Sequence, residues 1–338
     1  MNIQNELNVE WKKILLIWNW WDKNLWDELI LIWNMKLLLK QKKKLFIATK
    51  DINRLKDFHK QFFDNVDDFV YIHEIPKGIR SFCKYIIKWD FKTIKYFFQV
   101  DSVIVWWGEI MTQETPYSYF FWFISILPVI RKKLYLMWGI QIPDKFFYKI
   151  IFKRFIKKAS KILLRDFQWV KSLQEYWAKN VEFFMDTSYF SIDRKKLNKF
   201  SSQQKKLWLE WKKYIAININ EKWKKYLDDI IKDVEKYIQT GYKILFIPVR
   251  IGKFDDDSKF YDIIKSKLTN RSDKKFFLIC DWTDDFYDFL ALLNGAQKVI
   301  SVRLHLFLIA KFMWLDVKVY PYQKKIIKMS EVLKHFSI

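Results

Sequence analysis

Residues 14–31 read Ile14-Leu15-Leu16-Ile17-Trp18-Asn19-Trp20-Trp21-Asp22-Lys23-Asn24-Leu25-Trp26-Asp27-Glu28-Leu29-Ile30-Leu31. An apolar run, a polar segment crowded with tryptophan and a second apolar run opened by two carboxylates spell strand, turn and helix. Asp27 is placed as N-cap or first-turn residue, where its charge offsets the orphan amides and the positive helix end. Working outward, short β-rich runs alternate with longer helical stretches to both ends of the chain, the signature of parallel sheets with crossover helices. Strands are expected near 12–17, 44–49, 69–73, 101–105, 133–138 and 161–164, then near 213–219, 242–248, 276–280, 297–302 and 316–320. Helices are expected near 27–41, 52–64, 79–96, 117–130, 146–158 and 167–177, then near 222–239, 258–268, 284–293, 304–313 and 323–335.

The chain has 338 residues, 51% of them hydrophobic and 29% charged, which suits two α/β domains and excludes a disordered protein. The expected architecture is two doubly wound, Rossmann-like domains facing across a cleft: an N-terminal domain over 1–187, a serine- and charge-rich linker over 188–212 and a C-terminal domain over 213–338. Two cysteines, Cys83 and Cys280, exclude a disulfide scaffold and read as idle thiols of a reducing cytosol. The net charge of +23 is carried by lysine, since nine of the 61 basic residues are arginine. That profile is what an AT-rich genome imposes, so it points less to a polyanion partner than the charge alone would.

Glycine and tryptophan are the compositional anomaly. Six glycines are under 2% of the chain, against a usual share of about 7%. Eighteen tryptophans stand beside them, and many fall where backbones ordinarily call for glycine. Trp18, Trp20, Trp21 and Trp26 follow the first strand, Trp106-Trp107 precede Gly108, Trp138 precedes Gly139, and Trp177 occupies a helix C-cap position. The expectation is that many or all of these stand at UGA codons that the source organism reads as glycine. The alternative is a tryptophan-rich protein with aromatic platforms, which would allow nucleic-acid binding.

No stretch reaches the roughly 20 apolar residues of a membrane span, and the segment Tyr117 to Ile130 fits a buried crossover helix better than an interfacial anchor. The N-terminus lacks a signal peptide's pattern, so a cytoplasmic protein is expected, with room for peripheral membrane contact. Asp255-Asp256-Asp257 reads as a solvated turn rather than a metal site, and Asp281, Asp284 and Asp285 as turn and cap residues. His59, His73 and His335 read as surface or packing residues. No zinc spacing, P-loop or G-x-S-x-G occurs, so neither metal nor cofactor is expected.

Read with glycine at its tryptophans, the segment at 17–31 resembles the G-x-x-N-x-G-D-E-x-x-L signature of the polysaccharide pyruvyl transferase family. Val299-Ile300-Ser301-Val302-Arg303-Leu304-His305 is similar to that family's strand followed by R-L-H. Between them, Trp106-Trp107-Gly108-Glu109, Trp138-Gly139-Ile140-Gln141-Ile142-Pro143, Leu164-Arg165-Asp166 and Met185-Asp186-Thr187 resemble further family motifs in the family's order. Trp314, before the next strand, falls where the family pattern has glycine.

The resemblance implies a GT-B-like transferase that moves a pyruvyl group from phosphoenolpyruvate, a co-substrate, to a sugar of a polysaccharide or of a lipid-linked precursor. It implies that Arg303 and His305 bind the donor and that His305 takes part in the transfer; an arginine fork suits a carboxylate or phosphate. Arg250 and Arg165 are further anion-binding candidates. Asn24, Asp27, Glu28, Gly108 and Glu109 belong to the loops expected to meet the acceptor. One departure stands out: the first strand of the second half runs to Asn220 where the family often has arginine, and Arg250 is the candidate to replace that charge. A nucleotide-sugar glycosyltransferase is the rival enzyme, and a basic nucleic-acid-binding protein the rival of another class.

Overall fold

In the computed structural model, residues 11–17, 25–49, 51–73, 95–96, 98–106, 132–137, 142–164, 167–176, 178–184, 202–220, 226–251, 256–268, 277–279 and 285–320 are described. The chain divides into two compact units, one of residues 1–21 and 30–187, the other of 22–29 and 188–338.

The first unit holds strands β1 (Lys13–Ile17), β2 (Lys44–Thr49), β3 (Val70–His73), β4 (Ser102–Trp106), β5 (Lys133–Met137), β6 (Ala159–Leu164) and β7 (Val181–Phe183). They form one sheet in the order β3-β2-β1-β4-β5-β6-β7, every pairing parallel. Helices α1 (Leu25–Lys40), α2 (Ile52–His59), α3 (Phe146–Lys158) and α4 (Phe167–Glu175) lie between strands. The apolar runs read as strands because a parallel sheet is covered on both faces and needs no polar side. Ile14, Leu15, Val103, Ile104 and Ile162 are fully buried. Helix α1 is buried almost all round, at Leu29, Ile30, Leu31, Ile32, Met35 and Leu38, as expected of a helix inside an α/β layer.

The second unit holds β8 (Tyr214–Asn218), β9 (Lys243–Phe246), β10 (Phe277–Ile279), β11 (Lys298–Ser301) and β12 (Val317–Val319), in the order β10-β9-β8-β11-β12. These pairings are also parallel. Its helices are α5 (Ser202–Lys206), α6 (Leu227–Gln239), α7 (Lys259–Leu268), α8 (Phe286–Asn294) and α9 (Leu304–Phe312). Asp285 caps α8 by accepting the Asp288 amide at 2.9 Å, as its position in sequence suggests.

The sequence reading differs from the structure at three places. The stretch expected as a linker over 188–212 is, from Ser202 onward, part of the second unit. Ser202 bonds Asp288, Gln204 donates to the Tyr214 hydroxyl at 3.0 Å, and Lys212 donates to Ala296 O at 2.7 Å. A Cβ on Gly295 would collide with the ends of the Gln204 and Tyr214 side chains, which would have to move. Strand β7 and helix α5 have no counterpart among the expected elements. The helices expected near 117–130 and 323–335, Cys83, Cys280, His335, Asp281 and Asp284 lie outside the described residues, as does most of 79–96.

Helix ends bear on the tryptophan question. After α6, Gly241 adopts φ +85° and closes a Schellman motif, its amide bonding Ile238 O and that of Tyr242 bonding Tyr237 O. Trp208 (φ +54°) and Trp314 (φ +61°) hold the same position after α5 and α9. Trp208 bonds Lys205 O and Leu209 bonds Gln204 O; Trp314 bonds Lys311 O and Leu315 bonds Ala310 O. Both residues are largely exposed, at 82% and 66%. After α4 the Ala178 amide returns to Leu173 O in the same way; Trp177 itself, with Trp18, Trp20, Trp21, Trp107 and Trp138, lies outside the described residues. Trp33 and Trp169 sit inside α1 and α4, where the backbone sets no demand for glycine.

Each of Trp208→Gly and Trp314→Gly is expected to stabilise the chain by about 1 kcal/mol, the left-handed strain of a side-chain-bearing residue less the entropy glycine adds to the unfolded state. Denaturant unfolding measures this; a loss of stability in both would contradict the reading of these sites as glycine positions.

His59 is fully buried, with Nδ1 2.7 Å from the Tyr71 hydroxyl, and burial lowers its pKa to about 3. Between the ordinary value of 6.5 and about 3, the unfolded chain therefore binds a proton that the folded chain refuses. Stability from this group is complete above pH 6.5 and falls as the pH drops through that window, by roughly 1.4 kcal/mol per unit. The difference in unfolding free energy between wild type and His59→Gln, measured from pH 7 to 4, is expected to shrink as the pH falls; a constant difference would contradict it.

Candidate functional site

In a doubly wound sheet, ligands bind beyond the carboxyl ends of the strands, where the strand order reverses. In the first unit that point lies between β1 and β4, whose ends align with Ile17 opposite Val105. Asp27 is half-buried and Glu28 fully buried in the first turn of α1, which starts at Leu25, so Asp27 is a first-turn residue rather than the N-cap. Asn24, Gly108, Glu109 and Arg165 lie outside the described residues.

The second unit's reversal lies between β8 and β11, which pair with Ser301 opposite Asn218. Past β11 the chain turns sharply into α9, and Ser301 forms the turn. Its hydroxyl accepts the Arg303 amide at 3.1 Å and donates to the Arg303 carbonyl at 2.9 Å. Arg303 is thereby the N-cap residue of α9, and half-buried His305 falls in the first turn. A helix begun this way directs its leading amides outward, toward where an anion would sit.

The Arg303 side chain does not extend freely. Its Nε and Nη2 donate to the two oxygens of Asp257, at 3.2 and 2.5 Å, with the carboxylate side chain fully buried and the arginine side chain 12% exposed. Asp257 accepts three further bonds, from Asn218 Nδ2 at 3.0 Å and from the Val249 and Arg250 amides at 3.1 and 3.3 Å. Its own amide donates to Arg250 O at 2.9 Å. Asn218 Nδ2 also donates to Ile247 O at 2.8 Å, tying the end of β8 to the segment after β9. One carboxylate thus joins both arginines expected at the donor site, Arg303 through its side chain and Arg250 through its backbone.

Two expectations change. Asp257 is not part of a solvated turn; its charge is buried because five N–H groups converge on it. Asp256 alone behaves as a turn residue, accepting from the Ser258 amide and hydroxyl at 2.9 and 2.6 Å, while Asp255 lies outside the described residues. The Arg303 fork, expected to grip an anion, has its Nε–Nη2 edge committed to Asp257. Arg250 is half-buried in the loop after β9. Asn220 is buried with neither amide atom hydrogen-bonded. His59 packs in the core and His73 ends β3 exposed. Among the described residues no three His, Cys, Asp or Glu side chains gather as a metal set, and no helix is long and apolar enough to cross a membrane.

A family model described as polysaccharide pyruvyl transferase matches residues 7–310. No curated protein matches the sequence. Among solved structures, a UDP-GlcNAc 2-epimerase from Methanocaldococcus jannaschii is 13% identical, with 95% of this chain and 86% of that chain covered and a TM-score of 0.61. One from Neisseria meningitidis, bound to UDP-GlcNAc, is 11% identical over 94% of this chain and 85% of that chain, with a TM-score of 0.60. A UDP-N-acetylglucosamine 2-epimerase from Rickettsia bellii is 16% identical over 91% and 78%, with a TM-score of 0.56. At these identities the likeness is one of fold: two Rossmann-like domains of GT-B type.

Asp257→Ala is expected to destabilise the protein by about 3–5 kcal/mol, because it leaves Arg303 buried without its counter-charge, whereas Asp257→Ala with Arg303→Met is expected to recover much of that loss. Unfolding free energies of the singles and the double form the cycle that checks this; strictly additive losses would contradict a coupled pair.

Proposed function

The chain belongs to the polysaccharide pyruvyl transferase family, and on that premise we propose that it transfers a pyruvyl group from phosphoenolpyruvate to two hydroxyls of a sugar in a polysaccharide or its precursor. The observation that carries the proposal is the R-L-H segment at the β8/β11 reversal: Arg303 and His305 begin one helix at the edge where a small anion is best held. Two C–O bonds form at the enol carbon and its bond to the phosphate oxygen breaks. The methylene gains one proton to become a methyl group, and the second hydroxyl proton leaves with phosphate. The enol carbon becomes cationic along the way, so the reaction needs a proton donor for the methylene and cations for the departing phosphate. His305 is assigned the proton and Arg303 and Arg250 the donor anion. Asp27 and Glu28, at the start of α1, and Asn24, Gly108, Glu109 and Arg165 are assigned to substrate.

The acting polypeptide is proposed to carry glycine at Trp208 and Trp314 and in the loops after β1 and β4, by UGA recoding. Reading the source codons decides this, with UGG at 208 and 314 the contrary result. A second reading, a glycosyltransferase using a nucleotide sugar, draws on the fold shared with the UDP-GlcNAc 2-epimerases.

His305→Ala is expected to lower phosphoenolpyruvate-dependent phosphate release by about 100-fold or more, with the fold intact by circular dichroism. Unchanged turnover would remove His305 from the mechanism. Calorimetric titration separates the two donors: phosphoenolpyruvate is expected to bind, and binding of UDP-N-acetylglucosamine in its place would favour the second reading.

A further inference from the structure

We propose that Asp257 is a positioning residue of the anion site in the second unit: its buried carboxylate sets the Arg303 guanidinium and the path of the loop carrying Arg250, and Asn218 in turn sets Asp257. The inference rests on the reading of Arg303 and Arg250 as donor-binding groups given above.

An arginine side chain has many rotamers, so an unheld Arg303 would sample many orientations at the head of α9. Two bonds to one carboxylate fix the plane of its guanidinium. The carboxylate is itself immobile, because it is gripped from β8 by Asn218 and from the segment after β9 by the Val249 and Arg250 amides. Here Oδ2, which accepts from Arg303 Nε, also accepts from the Val249 and Arg250 amides on the segment that carries the second cation, so moving Asp257 displaces both arginines together.

Two consequences follow for the ligand. The Nε–Nη2 edge of Arg303 is committed to Asp257 and is closed to an anion. The Asp257 carboxylate offsets the charge of Arg303. Arg303 therefore contributes direction more than charge, and direction is what Asp257 supplies.

The test uses the full-length protein with inorganic phosphate and phosphoenolpyruvate as probes, and the variants Asp257→Asn, Arg303→Lys and both together. Asp257→Asn keeps the shape of the side chain and removes its charge. With folding confirmed by circular dichroism, it is expected to weaken calorimetric binding of both probes by about tenfold or more and to raise KM for phosphoenolpyruvate in step. In the Arg303→Lys background the same change is expected to add less than about twofold, because the group it positions is already gone. Val234→Ala, a buried position of α6, lowers stability and leaves affinity unchanged, which separates positioning from general weakening of the fold. Unchanged affinity in folded Asp257→Asn, or losses that multiply in the double variant, would overturn the inference while leaving the proposed reaction standing. Wild-type protein that binds phosphate but does not turn over phosphoenolpyruvate would remove the reaction, and phosphate affinity alone would then decide the role of Asp257. Wild-type protein that binds neither would remove both. If Asp257→Asn does not fold, Asn218→Ala decides: it deletes one bond to the carboxylate and spares the ion pair, with an expected weakening of about threefold and no change as the contrary result.

Discussion

A carboxylate taken wholly out of water must find its hydrogen bonds inside the protein, and among the described residues Asp257 finds five. They come from the end of β8, from the segment after β9 and from the turn after β11, three places adjacent in the sheet and far apart in the chain. The reversal of strand order brings those three ends together, and the buried charge holds them there. The candidate site of the second unit is therefore as much a consequence of this one desolvated ion as of the sheet that frames it. Arg303, Arg250 and Asn218 each owe part of their placement to it.

A buried ion pair is a weak contributor to net stability, since desolvation consumes most of the Coulombic gain. Apolar side chains of similar volume would hold the same strand ends at no such cost. Keeping a charged pair at the carboxyl edge of the sheet is more intelligible where one partner has to meet a charged ligand at a set angle. Asn220, buried nearby in sequence with its amide atoms unbonded, adds a neutral polar group to the same strand end. The edge is thus polar well beyond what packing needs.

Most strands were legible because parallel strands buried on both faces read as unbroken apolar runs, and Ile14–Ile17, Val103–Val105 and Ile215–Ile217 are such runs. Strand β7 was not, being three residues long with an outward Glu182 at its centre. Helix α5, Ser202–Lys206, is polar throughout, and it is tied to the second unit by Gln204 through Tyr214 and by Ser202 through Asp288, contacts no local window reveals. The R-L-H segment was legible from its setting at a strand-to-helix junction. Asp257 was not, because three successive aspartates look solvated until the arginine 46 residues away is seen to face one of them. The left-handed backbone at Trp208 and Trp314 was legible in part: Trp314 through the family's glycine, Trp208 through no signal beyond the polar turn around it.

The central claim is that the second unit's anion site serves transfer from phosphoenolpyruvate. It is tested most directly by incubating the protein with phosphoenolpyruvate and a panel of diol-bearing glycans in deuterium oxide, following phosphorus and the product methyl group by nuclear magnetic resonance. Free phosphate is expected in step with a ketal whose methyl carries one deuterium. Phosphoenolpyruvate left unchanged while the same protein and glycans consume a nucleotide sugar would contradict it.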